Sequence, residues 1–112
     1  MNTIIPDKWN IMEILFRVEE DSNERLESRR GQVQFDKAVI KLNPDYLPAM
    51  QLKTFIHENI EALNNELGIG LKHHQIDLLE AGIYQIIMAN KLWTLQQESD
   101  STGKSSSKKK TG

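Results

Sequence analysis

Residues 49–67 form the longest amphipathic segment of the chain. Leu52, Ile56, Ile60, Leu63 and Leu67 recur at spacings of three and four, with Phe55 at their edge. Pro48 suits the first turn of a helix, and Gly68 stands where a left-handed C-cap belongs. A helix with one such stripe must bury it against another layer. The loop of residues 68–72 is short, so a second helix, residues 74–93, is expected to turn back against the first. Its apolar stripe reads Ile76, Leu79, Ile83, Ile86 and Ile87. Gly82 lies inside it at a cost of about 1 kcal/mol relative to alanine, which predicts a close approach of the two helices there.

The amino-terminal half follows a different period. From Ile11 to Glu19 the chain alternates, with Met12, Ile14, Phe16 and Val18 on one side, as in a strand with one buried face. Residues 20–30 are almost wholly polar and read as a solvated loop or a short exposed helical turn. Residues 31–35 and 38–42 are separated by Asp36-Lys37 alone, a spacing that predicts an antiparallel hairpin. Pro44 and Pro48 end it. The expected fold is therefore α+β: a small antiparallel sheet of about three strands followed by two long antiparallel helices on one face. Trp9 and Trp93 are expected at the edge of the core, and Tyr84 is expected to pack.

Composition limits the chemistry. There is no cysteine, so disulfides, thiolate metal sites and thiol nucleophiles are excluded, and any metal must be held by His, Asp or Glu. The formal net charge is −2; Lys104, Lys108, Lys109 and Lys110 place +4 on residues 101–112 and so leave −6 on residues 1–100. An acidic body argues against specific nucleic-acid binding, which is led by Lys and Arg. No basic-then-apolar leader opens the chain and no window is apolar enough for a membrane span, so a soluble, cytoplasmic protein is expected. Residues 1–97 are read as one domain and residues 98–112, rich in Ser and Lys, as a disordered tail.

The chemistry-bearing residues sit on the first helix. His57 and Glu61 are four apart, hence on one side of the helix, where both can reach one ion; Glu58 lies about 100° around from His57. In the His-Glu-x-x-His pattern of zinc hydrolases the glutamate beside the first histidine is the general base, but here the second histidine is a glutamate. On the second helix Asp77 and Glu80 share one flank, so antiparallel packing can bring one of them to His57 and Glu61. The competing description is an ordinary helix flank, a half-buried histidine among solvated carboxylates. His73 and His74 are adjacent and point apart; both read as helix-start or surface residues, with His74 the one that would reach the site.

The run from Leu52 to Leu63, LKTFIHENIEAL, together with QIDLLEAGIYQ from Gln75 to Gln85, resembles the short zincin-like proteins of phages and prophages. These carry a His-Glu-x-x-His helix followed by a helix with an acidic residue shortly before a Gly-hydrophobic-Tyr. The resemblance covers roughly residues 10–93. It implies a minimal metallopeptidase-like fold of the gluzincin kind, with three protein ligands and one open position. By position, His57, Glu61 and Asp77 become the metal ligands and Glu58 the general base, with a peptide or protein as substrate. One imidazole and two carboxylates leave Zn²⁺ with no net charge, so its water is less acidic and the site more hospitable to Mn²⁺ or Mg²⁺. The alternative function is a non-catalytic phage accessory module that keeps the fold to bind another protein.

Overall fold

The computed structural model describes residues 5–93, so the predicted tail at residues 98–112 lies outside the described residues. The elements in order are β1 (Lys8–Ile11), β2 (Ile14–Glu20), β3 (Gly31–Gln34), a 3-10 turn (Phe35–Lys37), β4 (Val39–Leu42), α1 (Pro48–Leu67) and α2 (His73–Ala89). The α+β architecture is as expected, but the sheet has four strands in the order β1-β2-β4-β3, and it is mixed rather than wholly antiparallel.

A local turn and a long-range change of strand order account for the difference. The alternation that read as one strand is cut by a two-residue turn: Met12 and Glu13 adopt φ of 52° and 69°, and Ile11 pairs with Ile14. Both positive φ values fit a turn whose twist matches the flanking strands, although neither residue is the usual Gly or Asn. The Asn10 side chain supports it by accepting the Glu13 N–H at 2.9 Å. After β2 the chain passes to the far edge for β3, and β4 returns between them, antiparallel to β3 and parallel to β2. The β3–β4 connection spans Phe35 to Ala38 rather than two residues, with Ala38 left-handed at φ 52°.

The segment between β2 and β3 is mostly exposed turn, as expected, but it is pinned at a few points. Leu26 is 1% exposed within it. The fully buried Asn43 donates through Nδ2 to Asn23 Oδ1 at 2.7 Å and to the Arg29 carbonyl at 2.9 Å. Its backbone N–H donates to the Arg30 carbonyl at 2.9 Å. These bonds fix where Arg29 and Arg30 leave the loop.

Helix α1 lies between the sheet and α2, and its burial follows from that central position. Leu52, Phe55, Ile56 and Ile60 are buried as predicted, joined by Gln51, Thr54, His57, Glu58 and Ala62. Pro48 opens the helix, and Gly68, at φ 62°, closes it by donating to the Asn64 carbonyl. The core joins Ile11, Phe16, Val18, Ile40 and Leu42 of the sheet to this helix and to Ile76 of α2. Trp9 and Trp93 stand at the core edge as expected: Trp9 meets Phe55 edge-on at 5.0 Å and Trp93 at 6.3 Å.

Helix α2 packs with a different face from the predicted one. Leu79 and Ile86 are exposed, and Ile76 and Glu80 are its buried residues. Tyr84, Ile87 and Met88 are partly buried against the core. The contact face is therefore centred about 60° around from Ile83, toward Glu80. Gly82 does not lie in the helix contact: a Cβ placed on it would meet nothing within 4 Å. No helix among the described residues is long and apolar enough to cross a membrane.

Candidate metal centre

The rotation of α2 is what builds the site. Residues 73, 77 and 80 share one face of that helix, and turning the face inward sets His73, Asp77 and Glu80 opposite His57 of α1. Nδ1 of His57 lies 2.9 Å from Glu80 Oε1, with both side chains buried. Asp77 Oδ1 is 3.5 Å from the same nitrogen. On the opposite edge of the ring, Nε2 lies 3.4 Å from Glu61 Oε2. The ring of His73 stands edge-on to that of His57, with centroids 5.8 Å apart. His73 Nε2 is 3.6 Å from Asp77 Oδ2.

Glu80 is itself held by Arg30, delivered by the pinned loop. Nη1 of Arg30 donates to Glu80 Oε2 at 3.2 Å and Nη2 to Oε1 at 3.0 Å, a forked pair. The Glu80 hydrogen bond, opposed by burial, raises the Arg30 pKa above its ordinary value. A carboxylate can only accept, so Nδ1 of His57 donates to Glu80, and Nε2 is the nitrogen turned toward Glu61.

Glu58 is 7% exposed, and burial, partly offset by His57, pushes its carboxyl from 4.5 up to about 7. Glu61 and Glu80 add to the rise, whereas Arg30 opposes it. Together with His57 and His73, Glu58 lines a cleft of about 500 Å³ bounded by Arg30, Gly31 and Asp77. A second hollow of about 380 Å³, sharing His57, Glu58 and His73, runs past Glu61 along Gln32 and Val33 of the edge strand β3.

The donor atoms fall into two groups, each with one atom per residue within 4.8 Å of the others: His57, Glu61 and His73, and His57, Asp77 and Glu80. Either group could hold a metal ion. The predicted ligands His57, Glu61 and Asp77 are drawn from both groups, with Glu61 on the Nε2 side of the ring and Asp77 on the Nδ1 side. Glu58 lines the cleft with His57 and Asp77 and the second hollow with His57 and Glu61. His74 is exposed, as expected of a helix-start or surface residue, whereas His73, read in the same way, joins the cleft. The signal for His73 was present in its four- and seven-residue spacings to Asp77 and Glu80. Arg30 had no such signal, being 50 residues from its partner.

No family model, curated protein or solved structure matches this chain.

Proposed function

We propose that this protein is a zincin-like, metal-dependent hydrolase acting on peptide or amide bonds, as the likeness of its central helix to the phage and prophage proteins implies. The observation that carries the reading is the orientation of His57: Glu80 takes Nδ1 at 2.9 Å and leaves Nε2 toward Glu61 at 3.4 Å. Catalytic zinc sites hold their histidines in this way, with a carboxylate fixing the ring through the nitrogen that does not bind metal. His57 and Glu61 are two ligands from one helix, and α2 contributes the third. The donor set of nitrogen and carboxylate oxygen fits Zn²⁺, with Mn²⁺ or Mg²⁺ favoured as oxygens replace imidazoles.

A bound ion would polarise the scissile carbonyl and acidify a water. The chain's own contribution is Glu58. A carboxyl with a pKa of about 7 can accept a proton near neutral pH and return it to a leaving amine. Strand β3 lies at the edge of the sheet beside the second hollow, where an extended peptide can align its backbone by strand addition. Arg30 and Glu80 hold the His57 ring throughout.

The test is hydrolysis of a quenched-fluorescence peptide library by Zn²⁺-loaded protein, with Glu58→Gln as control. Turnover in the wild type that falls by about 100-fold or more in the variant supports the reading, since general acid–base catalysis contributes on that order. Zn²⁺ uptake without turnover favours the second reading, a non-catalytic module that binds another protein. The exposed Leu79 and Ile86 on α2 favour that alternative.

A further inference from the structure

We infer that His73 supplies the second imidazole that the His-Glu-x-x-Glu helix lacks, so that the ion sits between His57, Glu61 and His73 while Asp77 and Glu80 position the rings. The inference rests on the metal reading above and goes beyond it in assigning the third ligand to a residue outside the helix motif.

Three observations carry it. First, His57 can offer one ion only one nitrogen, and Nδ1 is engaged by Glu80 at 2.9 Å. That directs the ion to Nε2, the side on which Glu61 stands. Second, the alternative group of His57, Asp77 and Glu80 is poorly suited to a dication. Both oxygens of Glu80 already accept from Arg30, at 3.0 and 3.2 Å, so an ion on that side would sit close to a guanidinium and be repelled by it. Third, a ring nitrogen of His73 falls within 4.8 Å of the donor atoms of His57 and Glu61, and His73 lines both hollows that His57 and Glu58 share.

The substitution has a chemical consequence. With Asp77 as third ligand the site would hold one imidazole and two carboxylates, which neutralise Zn²⁺. With His73 it holds two imidazoles and one carboxylate, leaving a net +1 as in the His₂Glu sites of zinc hydrolases. The imidazole that α1 does not supply at position 61 thus comes from the first turn of α2, four residues before Asp77. Asp77, 3.5 Å from His57 and 3.6 Å from His73, lies between the two rings and can steady both.

The experiment is calorimetric titration of Zn²⁺ into metal-stripped full-length wild type, His73→Ala, Asp77→Asn and His57→Ala. Side-chain nitrogen NMR of the rings is recorded alongside; the chain has only three histidines. His73 is exposed, so its replacement leaves the core intact. The expected result is one Zn²⁺ per wild-type chain and an affinity loss of about 100-fold or more in His73→Ala, at or above the upper end for losing a ligand's hydrogen-bond partner. Asp77→Asn should lose about tenfold or less. Zn²⁺ should shift the ring nitrogens of His57 and His73 and leave His74 in place. Wild-type uptake that His73→Ala does not weaken, with loss in Asp77→Asn and only the His57 ring shifting, overturns the assignment and leaves the metal reading standing. No uptake by the wild type overturns both.

Discussion

Nδ1 of His57 and Oε1 of Glu80 lie 2.9 Å apart across the contact between α1 and α2, and the same carboxylate is forked by Arg30. A histidine, a glutamate and an arginine from three separate segments are thereby locked into one line. This line sets which nitrogen of His57 is free, and it joins the loop before β3 to both helices.

Removing Glu80 should therefore have two effects that can be read separately. Glu80→Ala leaves the Arg30 guanidinium and the His57 ring without their shared acceptor. The metal-free protein should lose about 2 kcal/mol, less than the 3–5 expected for a fully buried pair because Arg30 is partly exposed. Urea denaturation without metal measures this loss. Zn²⁺ affinity of the folded variant should fall by about 10- to 100-fold, because the His57 ring is no longer held.

Stability should depend on pH through Glu58. Its carboxyl is raised from 4.5 to about 7 in the folded protein, so the native state holds a proton that the unfolded chain releases. Below pH 4.5 both states are protonated and no stability is lost. As pH rises from there through 7 the folded state must ionise a buried acid, and stability declines by about 3 kcal/mol in total. Glu58→Gln, which cannot ionise, should lack this decline and be the more stable protein above pH 7. Urea midpoints at pH 5, 6, 7 and 8 for both proteins, without metal, check the sign.

Glu61→His restores the His-Glu-x-x-His pattern and replaces a carboxylate with an imidazole. The preference of the site for Zn²⁺ over Mn²⁺ should rise by about tenfold or more, since imidazole suits zinc while carboxylates favour the harder ion. Competition titrations of the two metals measure the ratio. An unchanged ratio would mean that Glu61 does not contact the ion.

Gly31 opens the edge strand β3 against α1 and lines both hollows. A Cβ there would sit 2.5 Å from Thr54 Cγ2 and 2.6 Å from the Lys41 carbonyl oxygen, so the strand and helix must move apart. Gly31→Ala should cost about 1–3 kcal/mol, the usual range for overpacking, and lower the midpoint of thermal unfolding followed by circular dichroism.

The sequence by itself determined what is local. Pro48, the Leu52-Ile56-Ile60 spacing and Gly68 set the extent and the buried stripe of α1, because helix geometry fixes which residues share a face. The same geometry places Glu61 beside His57. The tertiary structure decided how those faces meet. The turn at Met12 and Glu13 carried no glycine or asparagine to announce it, so the first hairpin read as one strand. The return of β4 between β2 and β3 depends on pairings between distant segments. Periodicity on α2 gave a stripe through Leu79 and Ile83, but a repeat does not set how far a helix is turned against its neighbour. Packing turned it toward Glu80 and took His73 with it, and Asn43 and Leu26 pinned the loop that brings Arg30 to Glu80. That His57 shows Nδ1 to one pair of carboxylates follows from Glu80, 23 residues away, and from Arg30, which holds Glu80 from 50 residues away, and no local spacing can specify either.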